Sequence, residues 1–581
     1  MPQAYDAPLA QIRTAIDQAA TSTGLLKLAG YAESLGDVAD SVLENAARFA
    51  REVLSPLNPV GDRTPSRCTP DGVVTPPGFA AAYERFRADG WTSLNVPTEH
   101  GGLGLPTLVA VASGEMWAGA NMSFAMCPEL AVGAIEAMTS HASPRLREEY
   151  LPRIVSGEWT AAMSLTEPQS GSDLSTVRTR AEADGERWRL FGRKIYITWG
   201  DHDFTDNIVH FVLARTPDAP EGLRGISLFL VPKKWPSGNG TFEANDIRAI
   251  SLEHKMGIRA SPTCAMVLGE HGGARGWLVG TRHEGLACMF TMMNHMRLGV
   301  GIHSLGIAER SLQLARIHAH DRVQGRNTHG AQRPIIEHTD VRRMLLTMKA
   351  LTQSARYLLY LAAATLDVSR SAPDEATRTE AASRLGLLTP IVKAWISDVA
   401  VEVSSLGVQI HGGTGYVDDS EISQLYRDAR IGPIFEGTNY IQAQDLLGRK
   451  VLRDSGRALS SLLDEAQRAA EQLPADHAGL AALRSGVIDG CARLRKSTAV
   501  LQQQSATDPE LIGAVAHHFL QWLGVLIGGW QWSIAARNTA SQEILDTAVF
   551  YGAHVLPRGY LHEAVIAQGS APITGAALSS I

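Results

Sequence analysis

Ile434-Phe435-Glu436-Gly437-Thr438-Asn439-Tyr440-Ile441-Gln442 carries one carboxylate on a glycine-containing turn, between apolar residues and ahead of a helix-like run at 441–452. A carboxylate on such a turn can reach into a cleft. Apolar neighbours disfavour its charged form and raise its pKa, which suits a base working near neutral pH. Thr438 and Asn439 are good N-cap residue types, and the free N–H groups of a helix start attract phosphate. One short segment could thus hold a base beside a phosphate-bearing cofactor. Taken alone, the same residues also read as a surface turn with an ordinary helix cap.

The chain around it has 581 residues, enough for several domains of roughly 150 residues each. Hydrophobic residues make up 45% and charged residues 19%, a mixture able to bury a large core. Net charge is -7, so no basic surface asks for nucleic acid. Cys68, Cys127, Cys264, Cys288 and Cys491 are scattered, odd in number and without a CxxC pair. They suggest neither a zinc site nor a disulfide framework, and the expected compartment is a reducing cytoplasm. The first residues, MPQAYDAPLAQIRTAIDQ, include acids and lack the apolar core of a signal peptide. The most apolar stretch, 519–532, is short for a bilayer span and holds Gln521 and three glycines. It reads as a buried helix or subunit contact in which Trp522, Trp530 and Trp532 pack, and no integral membrane segment is expected.

The pattern changes along the chain. Residues 1–160 look helical, with an Ala-rich run at 38–54 and a second helical run at 79–88 after Pro77; a turn at His100-Gly101-Gly102-Leu103-Gly104 interrupts them. Between 161 and 282 strand formers take over: 188–198 alternates partially, and 208–214 and 226–231 are apolar β-branched runs bounded by Pro, Gly and Asp. These short strands predict a small β-domain. Helices return after Gly285. Ile391, Val392, Trp395, Ile396, Val399, Val403, Leu406 and Ile410 recur at three- and four-residue steps, a buried helical stripe. From 454 onward Ala, Gln and Leu predict further helices. The fold class is therefore α+β.

Common chemical signatures are missing. There is no GxGxxG after a strand, no GxxxxGK[ST], no HExxH and no GxSxG. His318-x-His320 and His517-His518 lack the companions of a metal site, so no metal is expected. Gly299-x-Gly301 lies in a helical stretch and is no phosphate loop.

What the chain does carry resembles the acyl-CoA dehydrogenase family of flavoenzymes over residues 35–450. Leu165-Thr166-Glu167-Pro168-Gln169-Ser170-Gly171-Ser172-Asp173 matches that family's T-E-P-x-x-G-S-D loop, and Tyr196-Ile197-Thr198 its aromatic-x-Thr strand. Arg322 matches the arginine that reaches the cofactor of a neighbouring subunit. Gln409-Ile410-His411-Gly412-Gly413-Thr414-Gly415-Tyr416 matches the Q-x-x-G-G-x-G turn, and Tyr426-Arg427-Asp428-Ala429-Arg430 with Glu436-Gly437-Thr438 closes the series.

The resemblance implies an N-terminal helical domain at 36–160, a middle β-barrel-like domain at 161–282 and a C-terminal four-helix bundle at 283–453. An N-terminal extension (1–35) precedes them and an additional helical domain (454–581) follows. The cofactor would be FAD, its ring against Met163, Leu165, Thr166, Tyr196 and Thr198. Its pyrophosphate and adenine would meet Ser172, Thr438 and, from a second chain, Arg322, Gln324, Gln409, Gly412 and Gly413. Glycine permits close backbone approach, and arginine offers phosphate a planar fork. Glu436 would be the catalytic base. It would take the pro-R α-proton of an acyl-CoA thioester while a hydride leaves the β-carbon for flavin N5, giving a trans-2-enoyl-CoA. One branch of the family carries its base just before the arginine matched here by Arg297; this chain has Met296 there, which favours Glu436. Ser172, Asn294, Arg297 and Gly437 would contact the substrate.

The segment after Lys450 resembles a long bacterial branch that includes 3-methylmercaptopropionyl-CoA dehydrogenases and broad-range acyl-CoA dehydrogenases. The segments 253–263 and 275–280 look like that branch too, whereas His303 and Tyr440 are less usual. The implied partners are acyl-CoA, an electron-transferring flavoprotein and a second copy of the chain in a homodimer. Alternatives on the same fold are an acyl-CoA oxidase, a DNA-binding damage-response homologue, which the missing basic domain disfavours, and a catalytically silent flavoprotein, which the intact Glu436 disfavours.

Overall fold

The computed structural model describes residues 4–238, 240–326, 329–474, 477–576 and 579. In chain order its main elements are helices α1 (Leu9–Thr23) and α2 (Thr107–His141), then strands β1 (Trp159–Ser164), β2 (Arg180–Asp184), β3 (Arg187–Thr198), β4 (Asn207–Arg215), β5 (Ile226–Pro232), β6 (Ile247–Leu252), β7 (Thr263–Leu268) and β8 (Ala274–Val279). Helices α3 (Gly285–Asp321), α4 (Thr339–Ser371), α5 (Glu375–His411), α6 (Asn439–Gln444), α7 (Arg457–Glu471), α8 (Ala481–Gln504), α9 (Leu511–Arg537), α10 (Gln542–Phe550) and α11 (Arg558–Ile566) follow. The chain forms two compact units. One comprises Ala4–Ala7 and Glu44–Gly299, the other Pro8–Leu43 and Val300–Ile581.

The first unit holds α2 and the main sheet. Helix α2 is apolar on nearly every face and is buried accordingly. It kinks at Asn121 (φ −164°, ψ 88°). The Asn121 side chain accepts from Phe124 N at 3.1 Å and so caps the second half of the helix. The sheet has eight strands in the order β6-β7-β3-β8-β5-β4-β1, and β2 pairs with both β3 and β4. That double pairing closes β3, β8, β5, β4 and β2 into a ring, the barrel-like form that the family resemblance implied. β4 and β5 are buried on both faces, which is why they read as largely apolar runs, interrupted only by His210 and Ser227, rather than alternating ones. Leu190, Ile208, Val212, Phe229 and Val231 fill the interior.

The second unit is helical. Helices α4 and α5 pack along each other, and the stripe at 391–410 is buried at every position except the half-buried Leu406. The run 519–532 lies inside the longer α9, a 27-residue helix long and apolar enough to cross a bilayer by length and composition. Two thirds of its most apolar window, 67%, is buried inside the unit. It packs on α4 and α5: Trp532 Nε1 donates to Ser354 Oγ at 2.8 Å. A Cβ at Gly524 would stand 2.4 Å from Trp395 Cγ, so this approach needs glycine. Helix α1 joins the same assembly, with Gln18 Nε2 donating to Gln531 Oε1 at 2.9 Å.

Candidate active site

In the first unit, β3 carries one extra residue where it pairs with β7. Thr198 pairs with Thr263 and Ile197 with Cys264, but Lys194 pairs with Met266. Ile195 and Tyr196 therefore stand against a single residue of β7, and Tyr196 absorbs the extra step at φ 58°. A bulge of this kind re-aims a side chain. The Tyr196 ring is 60% exposed, whereas its neighbours Ile197 and Trp199 are buried.

The loop after β1 is tied to that bulge from below. Ile195 N donates to Thr166 O at 2.9 Å. Lys194, wholly buried, donates from Nζ to Leu165 O (2.9 Å), Glu167 Oε1 (2.8 Å) and Leu213 O (2.8 Å). Glu167 also accepts from Arg178 N, Thr179 N and Thr179 Oγ1 at 2.8, 3.0 and 2.6 Å. Burial alone would raise the Glu167 pKa, but Lys194 and these donors outweigh it and hold the carboxyl down at about 2. Burial lowers the Lys194 pKa to about 8 against the pull of Glu167. The loop's carbonyls are thus held inward, while the half-buried hydroxyls of Thr166 and Thr198 have no hydrogen-bond partner among the described residues. Met163, the penultimate residue of β1, is 9% exposed, Leu165 just after the strand is half-buried, and Ser172 stands exposed in the loop.

Helix α3 contributes a second group to this unit. Arg297 Nη1 donates to Asn294 Oδ1 at 3.0 Å, so these two residues, three apart, act as one polar face. On the side turned to α2, His295 is clamped between Glu129 Oε1 (2.7 Å) and Glu136 Oε1 (3.3 Å). Burial would lower the His295 pKa, but Glu136 and Glu129 reverse this and raise it to about 10. The clamp fixes the rotation of α3 that presents Asn294 and Arg297.

In the second unit the turn of Glu436 is left-handed at two successive residues, Glu436 (φ 57°) and Gly437 (φ 79°). A non-glycine residue in this region is uncommon and costs about 1–3 kcal/mol, which the surroundings must offset. Gln442 Nε2 donates to Glu436 O at 3.3 Å, and Asn439 N to Pro433 O at 3.0 Å. Thr438 is the N-cap of α6, accepting from Ile441 N at 3.3 Å. Asn439 is not a cap, as its residue type had suggested. Its side chain turns into α5, where its amide donates to Ala394 O (3.1 Å) and Asp398 Oδ1 (2.8 Å) and its oxygen accepts from Lys393 Nζ (2.9 Å). Asp398 also accepts from Gln521 of α9. Burial raises the Asp398 pKa to about 6 despite both donors. The turn of Glu436 is thereby anchored to α5 and, one contact further, to the helix that follows the bundle.

The same unit assembles a third group. His318 and His411 stack with ring centroids 4.3 Å apart, joining the end of α3 to the end of α5. Arg322, whose N–H donates to His318 O at 2.9 Å, is exposed there, as are Gln324, Gln409, Gly412 and Gly413. Gly412 caps α5 at φ 60°. A Cβ at Gly413 would meet nothing within 4 Å, so the space beside this turn is open.

His318 is therefore committed to His411, and His518 to His562 (Nδ1···Nδ1 3.0 Å). Among the described residues no group of three or more His, Cys, Asp or Glu is placed to hold a metal ion. The sequence reading missed Lys194, His295 and Asp398. Lys194 left one trace: it lies in phase with Leu190 on the inward side of β3, where a charge requires a buried partner.

Four family descriptions match successive parts of the chain. They are the acyl-CoA dehydrogenase N-terminal domain at 38–158, the middle domain at 162–270, the C-terminal domain at 283–451, and an acetyl-CoA dehydrogenase C-terminal-like domain at 455–576. A 3-methylmercaptopropionyl-CoA dehydrogenase of Ruegeria pomeroyi is 44% identical over 92% of this chain and 91% of its own length. A butyryl-CoA dehydrogenase of Syntrophomonas wolfei is 35% identical over 76% of this chain and 75% of its own. The fold is shared with Caenorhabditis elegans ACDH-11 in complex with C11-CoA (TM-score 0.76, 22% identity, 89% and 88% of the two chains). It is also shared with a Bacillus anthracis acyl-CoA dehydrogenase complexed with FAD (TM-score 0.75, 22% identity, 92% and 88%). Matched in all three of its catalytic-fold domains and across nine tenths of a close relative, the chain belongs to the acyl-CoA dehydrogenase family.

Proposed function

We propose that Glu436 is the base in the FAD-dependent α,β-dehydrogenation of an acyl-CoA that characterises this family. The observation that carries the assignment is the left-handed Glu436–Gly437 turn, held in a strained conformation by Gln442 and Asn439. Strain retained at a carboxylate marks a position where geometry serves function. The Glu436 carboxylate would take the proton from the α-carbon, and its own N–H would face the thioester oxygen as negative charge develops there. Asn294 and Arg297, already joined by a hydrogen bond, would orient the thioester and pantetheine, and Gly437 and Ser172 would also contact the substrate.

The residues present fit a flavin. Two unpartnered hydroxyls, Thr166 and Thr198, flank an exposed aromatic ring, Tyr196, next to Met163 and Leu165. Bound FAD supplies the acceptor for the hydride leaving the β-carbon. Thr438, having accepted from Ile441 N, can still donate its hydroxyl proton to a phosphate. Arg322, Gln324, Gln409, Gly412 and Gly413 form an exposed, open group suited to the pyrophosphate and adenine of an FAD held by a second chain. The working unit would then be a homodimer in the cytoplasm, passing electrons to an electron-transferring flavoprotein. Light scattering of the holoenzyme tests this: a fully active, flavin-replete monomer would exclude a site shared between chains.

Short acyl thioesters are the first substrates to try, because the relatives are named for 3-methylmercaptopropionyl-CoA and butyryl-CoA. Anaerobic mixing with each thioester, read as bleaching of the flavin absorbance, tests the reaction without any electron acceptor. Absence of bleaching with straight, branched and thioether chains alike would overturn it.

A further inference from the structure

The second unit contains a cavity of about 1450 Å3 that the dehydrogenation does not use. It is bounded by α1 of the N-terminal extension, by α3 and α4, and by α7, α9 and α10 of the added helices. Small-molecule sites typically span about 300–1,000 Å3, so this space suits a long ligand. Its lining is graded. At the rim stand the exposed Arg342, Arg468 and Arg537; the walls are half-buried aliphatic residues, Leu312, Leu345 and Leu346; the floor is the buried Tyr357, Trp530 and Trp532.

The charges at this cavity are unequal. The lining carboxylates are paired: Glu309 with Arg356 (2.7 Å), Glu543 with Lys349 (2.8 Å) and Glu465 with Arg384 (2.8 Å), while Asp17 (3.7 Å) shares Arg13 with Asp40 (3.1 Å). Among the described residues the side chains of Arg342 and Arg537 donate to Ile336 O and Asn538 Oδ1, neutral acceptors, and Arg468 has no carboxylate partner. The rim therefore presents surplus positive charge. Deeper in, Thr352 lines the cavity at 1% exposure with its hydroxyl unpartnered, a buried polar group that a ligand atom would satisfy.

We infer that this cavity binds a long acyl chain with an anionic head, the head on the rim arginines and the chain along the leucine walls toward Trp530 and Trp532. Free fatty acid and acyl-CoA share this chemistry. Because α1 and α9 are joined through Gln18 and Gln531 at its edge, occupation would brace the N-terminal extension against the added helices.

The test uses the holoenzyme with two probes, palmitate and the unreactive thioether S-hexadecyl-CoA. Tryptophan fluorescence reads the cavity and flavin absorbance reads the active site. The expected result is saturable quenching at one probe per chain beyond any probe whose binding perturbs the flavin spectrum, since the thioether can also enter the active site. In the Arg342→Glu/Arg468→Glu variant the affinity should fall about tenfold or more, the weight of a lost charge-assisted contact, while acyl-CoA turnover is retained. Quenching by palmitate assigns the free acid, and quenching by the thioether alone assigns the CoA-bearing source. No saturable quenching by either probe, or quenching unchanged in the charge-reversed variant, would overturn the inference. Because both substituted residues are exposed, folding is not at stake, and Leu346→Trp provides an independent check by filling the wall.

Discussion

Lys194 Nζ and Glu167 Oε1 stand 2.8 Å apart with both side chains closed to solvent. Through the same ammonium group Lys194 also holds Leu165 O, so one buried cation sets the loop that carries Leu165 and Thr166 against the strand that carries Tyr196 and Thr198. An isolated buried pair adds little net stability, but breaking one strands a charge. Its value here lies in fixing two segments whose backbones, among the described residues, are joined by the hydrogen bond from Ile195 N to Thr166 O.

Lys194→Met should therefore destabilise the protein by about 3–5 kcal/mol and weaken FAD retention at the same time. Denaturant unfolding reads the first effect and flavin titration the second. Unchanged flavin affinity in a folded variant would confine the pair to a packing role. The acid limb follows from the Glu167 pKa, which lies near 2 in the folded chain against 4.5 unfolded. The carboxylate's contribution is complete above the unfolded value and is lost as pH falls through the folded one. Glu167→Gln should flatten that limb.

Glu436→Gln keeps the shape of the side chain but removes the acceptor for the α-proton. Turnover should fall by about 10²–10⁴-fold, the scale of general-base loss, with flavin content nearly unchanged. Rapid-mixing measurement of flavin bleaching isolates the chemical step. A rate near that of the wild type would place the base elsewhere.

Arg322→Ala removes a charge-assisted contact worth about 1.5–3 kcal/mol, so FAD should dissociate about ten- to a hundredfold more readily. The chemistry of the remaining holoenzyme should be little affected. Equal FAD affinity in the variant would reduce Arg322 to a surface charge.

His295 links stability to alkaline pH. Its pKa is raised to about 10 in the folded chain from 6.5. The stabilisation is fully present below the unfolded value and is lost as pH rises through the folded one. Wild-type unfolding free energy should thus decline between about pH 6.5 and 10, and His295→Gln should be less stable at neutral pH and lack this decline. Thermal melts across the range read it. Parallel pH profiles in the two proteins would show that Glu129 and Glu136 do not hold a charged imidazole.

Local regularities are legible in the amino-acid sequence alone. The largely apolar runs at 208–214 and 226–231 form strands buried on both faces, and the stripe at 391–410 forms the inner side of α5. The order of short motifs, from Thr166-Glu167-Pro168 to Glu436-Gly437-Thr438, points to the family. Each of these signals is written in residues close together in the chain, where side-chain period and turn chemistry act directly.

What the sequence leaves open depends on residues far apart. That Lys194 meets Glu167, that Asn439 turns from capping to the anchoring of α5, and that α9 reaches Asp398 through Gln521 are outcomes of packing between distant segments. The left-handed turn at Tyr196 needs the register of β7, and the arginine-rimmed cavity needs α1, α4 and α9 in one place. A buried charge must find a partner wherever the fold supplies one. The sequence shows that Lys194 faces inward, but only the tertiary structure decides that Glu167 receives it, because a pairing energy exists only once the intervening chain has brought the two groups together.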